Sequence, residues 1–518
     1  MTARPKSSLS AARRARELAE VAESAGSPRI DVLVVGLGAT GVGVALDAAS
    51  RGLRVVAVDA HDLAFGTSRW SSKLVHGGLR YLASGQVGVA HESAVERGTL
   101  MRRTAPHLIR PLPFVLPLTS DVSAPQAGVA RAGYLAGDLL RLAAHTSRRL
   151  LPRPRRLSAV ETLNRVPALD PRGVRGGLLS WDGQLVDDAR LVVAIARTAA
   201  AHGARVLTRC RAVRISGNRA TLRDELTGEE FTVNARAVVN ATGVWAGGLV
   251  DGVRLRPSRG THLVIPAIRL GRAADVGLHL PVPGEPGRFV ITMPQDDGRV
   301  IVGLTDVAAD GPIPDVPAPT DAEIDYLLGV LDHAFAGPVT RDDVLGAYAG
   351  LRPLLAGPEG QTTDLSRRHA VLTAADGVVT VVGGKLTTYR RMAEDATDAV
   401  AARLGGSVPR SHTASLPLIG AASPAVLAAV PAPRRLVRRY GTEAVDVLAL
   451  SRRDPQLAEP VAPGVPVTRA ELLWAVRHEG ALDVADLLDR RTRIGLVVDD
   501  REAAEPAATA ALAALLPR

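Results

Sequence analysis

Two glycine clusters at strand-to-helix junctions carry the clearest chemistry in this chain. The first is Gly36-Leu37-Gly38-Ala39-Thr40-Gly41, directly after the apolar run Val32–Val35. Gly36 permits a tight turn, Gly38 lets backbone approach a pyrophosphate, and Gly41 lets helix and strand pack closely. That is the spacing of a dinucleotide site. Asp59 ends a second apolar run, Val55–Val58. It stands about 20 residues on, where a carboxylate accepts from ribose hydroxyls and disfavours a 2′-phosphate. The second cluster is Gly383-Gly384-Lys385-Leu386-Thr387-Thr388-Tyr389-Arg390, after the apolar run 378–382. A strand, a glycine pair and a helix start again make a site for an anion or a ring edge. Between them, the segment from Gly66 to Tyr81 gathers Ser68, Ser72, Lys73, His76 and Arg80. Alone, the first glycine pattern is weakly specific; its continuation into 66–81 makes it strongly so.

The elements that must position these residues follow from periodicity. Residues 30–59 read as strand, helix, strand. Residues 86–104 read as a helix, and 126–145 have helical spacing. The stretch 106–117 is apolar and punctuated by Pro106, Pro111, Pro113 and Pro117. Asp187-Asp188 open a helix running to about Ala201 and read as N-terminal caps. Strands are expected near 204–208, 211–215, 219–223 and 230–234. Another, 237–243, ends in Ala241-Thr242-Gly243. A strand-rich region over 255–310 predicts an antiparallel sheet, and 321–335 a helix. From 405 onward the pattern is helical. The expected organisation is a flexible basic arm over 1–29 with a short helix near Ser10 to Glu23, an α/β region over 30–395 and an all-α C-terminal domain over 396–518. Within the α/β region, parts near 30–104, 170–254 and 340–395 hold the cofactor. Parts near 105–169 and 255–339 serve the substrate or form insertions. No internal repeat is visible.

Composition narrows the function classes. The 518 residues suffice for two or three domains. The single cysteine, Cys210, excludes a disulfide scaffold and a cysteine-ligated metal cluster, and no metal ligand set is expected. Net charge is +10, but aromatics are only 3%, so a base-stacking surface and nucleic-acid binding are not expected. The 63 basic residues include only the lysines Lys6, Lys73 and Lys385. Two of these three sit inside the motifs above. No apolar run is long enough for a transmembrane helix, and no secretory leader pattern is seen. The 106–156 block, with the basic run 147–156, reads either as an ordinary packed insertion or as a patch touching an anionic membrane.

Together the motifs resemble the FAD-dependent glycerol-3-phosphate dehydrogenases, the respiratory, membrane-associated type. The resemblance rests on Val35–Gly41, Thr67–Leu82, Ala105–Leu108, Asp187–Leu191, Val239–Gly243, Gly303–Val307, Gly350–Pro353 and Gly383–Arg390. It implies a Rossmann-like FAD-binding domain of the amino-acid-oxidase/glutathione-reductase type, with an antiparallel-sheet substrate domain. It implies FAD, oxidation of sn-glycerol 3-phosphate to dihydroxyacetone phosphate and a membrane quinone as electron acceptor. The implied location is cytoplasmic, peripheral to the inner face of the cell membrane; a homodimer stays open.

By the same resemblance Gly36, Gly38, Thr40, Gly41, Asp59, Ser68, Ser72, Lys73, Leu74, Gly243, Gly384 and Thr387 contact FAD. Arg80, Tyr81, Arg352, Arg367, Lys385 and Tyr389 face the substrate. Arg352, His76 and Lys385 carry the catalysis. Arginine suits a phosphate because its planar fork binds two oxygens at once. The sequence Ser366-Arg367-Arg368-His369 departs from the expected Thr-Arg-Asp-Tyr, so Arg368 competes with Arg367 for that role. His76 either accepts a proton or fixes the loop beside the flavin. Rival readings are a glycerol-3-phosphate oxidase, an amino-acid-oxidase-type flavoenzyme and a non-catalytic flavin-binding protein.

Overall fold

The computed structural model describes residues 6–23, 30–78, 81–82, 85–271, 275–356 and 369–513. Arg80, Arg367 and Arg368 lie outside the described residues. Val32–Val35, Val55–Val58 and Val379–Val382 are apolar runs without alternation. Such runs suit strands buried on both faces, and all three become parallel strands of one sheet. Across that sheet the order is Ala370–Thr373, Val379–Val382, Glu230–Asn240, Ile30–Val35, Val55–Val58 and Arg205–Leu207. All neighbours are parallel except the first pair. The two strands expected at 230–234 and 237–243 are one strand. Its first half pairs with Arg219–Asp224 and its second half with Ile30–Val35.

Helix Ala39–Ser50 packs on this sheet against helices Asp188–Ala201 and Tyr389–Leu404. A Cβ on Gly41 would overlap the Gly36 carbonyl oxygen, and one on Gly36 would strike the Ala241 carbonyl. Gly36 also has φ +106°, which favours glycine. Asp187 caps helix Asp188–Ala201, its carboxylate accepting from the Arg190 N–H at 3.3 Å.

A second, ten-stranded sheet carries the other side of the site. It includes Leu74–Val75, Ile109–Pro117, Gly177–Leu185, Ser258–Pro266 and Gly346–Arg352. The proline-punctuated stretch is thus a nine-residue strand, paired along its length with Gly177–Leu185. Pro111, Pro113 and Pro117 share one parity, so the missing N–H donors fall on one edge only.

The N-terminal segment corrects an expectation. Residues 1–5 and 24–29 lie outside the described residues; the expected short helix is present as Ala11–Glu23, but it is docked on the fold rather than mobile. Its Val21 is fully buried, and Arg14 forms a buried ion pair with Asp224. Leu9 N–H donates to the His478 carbonyl at 3.0 Å.

Among the described residues, 405–513 contain no strand, only helices and short turns of helix. Buried ion pairs bind this region to the rest. Arg190 pairs with Glu479, Arg197 with Glu443, and Arg439 with Asp187. Asp62 accepts from Arg491 at 2.7 and 2.8 Å and from Arg490 Nε at 2.8 Å. Burial would push the Asp62 carboxyl up, but the two guanidiniums outweigh it and hold it well below the ordinary range. Its stability contribution is therefore present above the unfolded carboxylate's pKa and is lost as pH falls through the folded one. Asp62→Ala removes the carboxylate that pairs with Arg491 and leaves Arg490 to Asp486, at a cost on the order of 3–5 kcal/mol. The expected outcome is a lower midpoint in urea unfolding, with weaker FAD retention because Asp62 anchors the loop that follows Asp59.

Candidate active site

The strand ends Val35-Gly36, Asp59, Ala241-Thr242-Gly243 and Gly383-Gly384 all open into one cavity of about 620 Å³. Ligands bind at this edge of a parallel sheet, where helix N-termini point outward. Asp59 sits at the end of its strand. Its two oxygens accept from the Leu37 N–H at 2.7 Å and the His61 N–H at 2.8 Å, leaving lone pairs for ribose hydroxyls. Burial pushes its carboxyl up, and those two donors oppose the shift. Ser68 Oγ accepts from the Ala39 N–H at 2.9 Å, so it caps the helix start while lining the cavity. Trp245 packs on Gly66 and Trp70 on Gly350, closing the walls with apolar surface.

At the other end, residues from both sheets meet. His76, Tyr81, Arg352 and Lys385 all line the cavity, together with Ser72, Leu74, Gly384 and Thr387. Arg352 ends strand Gly346–Arg352 and donates to Ser258 Oγ and Asp306 at 3.1 Å and to the Thr305 carbonyl at 3.2 Å. The Lys385 ammonium donates to Ser93 Oγ at 2.7 Å and lies 3.7 Å from the centre of the Tyr81 ring. The His76 N–H donates to Thr387 Oγ1 at 3.1 Å, tying the two glycine-rich motifs together. Nearly half of the His76 side chain, 46%, is accessible.

Three expectations change. Lys73 does not line the cavity; it is buried, and its ammonium donates to Asp188 at 3.0 Å and to the Arg69 carbonyl at 2.9 Å. It braces the loop instead of touching the cofactor, because Asp188 offers a buried cation a better partner. Tyr389 is buried against Gly43, not exposed to substrate. Gly41 acts through helix–strand packing and not as part of the lining. Thr40 and Gly243 do line the cavity.

Sequence reading missed two residues. His262 is buried in strand Ser258–Pro266, lines the cavity and shares a 2.8 Å hydrogen bond with Ser72 Oγ. Burial holds its imidazole well below the ordinary range, so it is neutral. A polar Thr261-His262 pair inside a buried strand is the signal that could have found it. Asp182, on strand Gly177–Leu185, stands 3.4 Å from His76 Nδ1. Ser180 and Gln184 make the same strand polar elsewhere, so the sequence carries no signal that marks Asp182.

The cradle fits a dinucleotide with a ring system attached, and the likeness to known proteins agrees. Residues 31–390 match the family described as FAD dependent oxidoreductase, and 411–517 match the C-terminal domain of alpha-glycerophosphate oxidase. The chain is 52% identical over 501 residues to glycerol-3-phosphate dehydrogenase 1 of Mycobacterium tuberculosis, covering 95% of this chain and 96% of that one. This chain belongs to the FAD-dependent oxidoreductase family. Its relatives there include the mitochondrial glycerol-3-phosphate dehydrogenase of Arabidopsis thaliana, at 36% identity over 95% of this chain and 83% of that one. Its fold is similar to that of the Bacillus halodurans glycerol-3-phosphate dehydrogenase crystallised with FAD. The TM-score is 0.73 at 27% identity, over 97% of this chain and 94% of that one.

FAD is therefore the cofactor; Gly36, Gly38 and Asp59 line the cavity and would hold its pyrophosphate and ribose. Hydrogen bonds to a charged group contribute about 1.5–3 kcal/mol. Asp59→Ala is expected to weaken FAD binding about 10–100-fold, read by titrating apoprotein with FAD and following flavin fluorescence.

Proposed function

We propose that this protein oxidises sn-glycerol 3-phosphate to dihydroxyacetone phosphate and passes the electrons to a membrane quinone. The observation that carries this reading is the meeting of His76, Arg352, Lys385 and Tyr81 in the cavity whose far end is the Gly36–Asp59 cradle. The names and high identity of the relatives support the substrate. Bound FAD supplies the acceptor for the hydride that leaves C2. His76 takes the C2 hydroxyl proton, so the C2–O bond becomes a carbonyl and charge balances. Arg352 holds the phosphate by its guanidinium fork, exchanging part of its contact with Asp306 for phosphate oxygens. Lys385 steadies the negative charge that develops near the ring edge and the substrate oxygen.

The match of residues 411–517 to an oxidase C-terminal domain favours a second reading, in which oxygen is the acceptor. Stoichiometric peroxide during turnover would select it; rapid reduction of a soluble quinone analogue without peroxide selects ours.

Membrane contact rests on helix Ala124–Ala143. Ala127, Ala130 and Tyr134 pack inward, while Val129, Leu135, Leu139 and Leu142 are exposed. Leu135, Leu139 and Leu142 share one face. The basic run with Arg148, Arg149 and Arg153 follows, all three exposed. Among the described residues no helix is long and apolar enough to cross a membrane. Our reading is a peripheral contact at the cytoplasmic face of the membrane, supported by the exposed leucines and the basic run.

Two outcomes are expected. Arg352→Ala raises KM for glycerol 3-phosphate about 10–100-fold with FAD still bound, checked by steady-state kinetics and flavin absorbance. Neutralising Arg148, Arg149 and Arg153 together weakens binding to anionic vesicles by about 3 kcal/mol, roughly a hundredfold, checked by vesicle sedimentation at low salt.

A further inference from the structure

Strand Leu74–Val75 runs antiparallel to strand Gly177–Leu185, with Leu74 opposite Gln184 and Val75 opposite Gly183. The next step of that register sets His76 opposite Asp182. The Asp182 side chain is only 14% exposed and is absent from the cavity wall, so it stands behind His76. Its Oδ1 accepts from Arg97 Nη1 at 2.7 Å and from the N–H groups of Gly183 at 3.1 Å and Gly77 at 3.2 Å. Its Oδ2 lies 3.4 Å from His76 Nδ1. A Cβ on Gly77 would overlap the Arg97 guanidinium, so the glycine beside His76 is what admits Arg97 to the carboxylate.

Burial would push the Asp182 carboxyl up, but Arg97 and His76 outweigh it and hold it at about 2. An ionised carboxylate only accepts hydrogen bonds. In the neutral imidazole the nitrogen that faces it therefore carries the proton, and Nε2 keeps the lone pair. A base oriented by a third group in this way is the general form of an activated proton acceptor. The dyad joins the second sheet to the flavin-side motifs, because the His76 backbone is also held by Thr387.

We propose that Asp182 is a positioning residue for the oxidation: it fixes the His76 tautomer and ring orientation so that Nε2 accepts the substrate hydroxyl proton, while Arg97 keeps the carboxylate in place. This rests on His76 being the proton acceptor. It also assigns a purpose to Arg97, which never reaches the cavity wall.

The test is a double-mutant cycle on FAD-loaded enzyme, measuring kcat and KM for sn-glycerol 3-phosphate. Bound flavin absorbance serves as the check on folding. His76→Ala is expected to lower kcat about 10²–10⁴-fold. Asp182→Asn presents an amide that can donate to Nδ1 and favour the wrong tautomer. It is expected to lower kcat at least about tenfold with KM within about twofold, and to cost nothing further in the His76→Ala background. An equal loss of kcat on both backgrounds would overturn the role of Asp182 while leaving His76 as the base. An unchanged kcat in His76→Ala would instead overturn the proton-acceptor reading, and the proposal with it. If Asp182→Asn leaves Arg97 uncompensated and fails to fold, the pair Arg97→Gln with Asp182→Asn removes both charges and enters the same cycle, with the same outcomes deciding.

Discussion

The Asp62 carboxylate, buried between the guanidiniums of Arg490 and Arg491, joins the C-terminal helical region to the loop on which the cofactor site is built. That loop runs from Asp59 through His61, Phe65, Ser68 and Trp70 to Ser72, and all six residues line the cavity. Little regular structure holds it: one short turn of helix at Thr67–Arg69. Its shape comes from ion pairs and hydrogen bonds at its back. Asp188 accepts from the Ser71 N–H at 3.0 Å, from Ser71 Oγ at 2.7 Å and from the Lys73 ammonium at 3.0 Å. Arg69 lies over the Trp70 ring at 4.2 Å. Remove the charged back wall and the cavity loses one side.

Buried charges are costly unless paired with good geometry, so they are weak evidence for stability in themselves. Their effect here is specificity of arrangement. Helix Asp188–Ala201 contributes Asp188 to the loop, Arg190 to Glu479 and Arg197 to Glu443. One rigid helix thus registers the cofactor loop and the C-terminal helices against each other. Chemistry at the far end of the cavity depends on the same logic. His76 and Lys385 come from different sheets and meet because Thr387 accepts from the His76 backbone.

The first sheet was legible because Ile30–Val35, Val55–Val58 and Val379–Val382 are largely apolar without alternation and two of them run straight into glycine, and both features have direct physical causes. Gly36, Gly38, Asp59, Ser68 and Gly384 could be placed from spacing and resemblance alone. Lys73 could not, since a lysine in a serine-rich loop suits a phosphate as well as a buried acid, and only the fold brings Asp188 beside it. Tyr389 at a helix start reads equally as pocket or packing; Gly43 opposite decides for packing. Arg14 reads as part of a solvated basic arm until the fold supplies Asp224 as its partner. The strand Ile109–Pro117 was hidden by its prolines, whose common parity spares the ladder with Gly177–Leu185. Asp182 was hidden because its meaning lies wholly in strand register.

The measurement that bears most directly on this account is an anaerobic absorbance titration of the FAD-loaded protein with sn-glycerol 3-phosphate, with glycerol and an amino acid as controls. The account predicts bleaching of the flavin band by the phosphorylated substrate alone, complete at one equivalent of dihydroxyacetone phosphate per flavin. A flavin band untouched by glycerol 3-phosphate, or bleached equally by the amino acid, would contradict it.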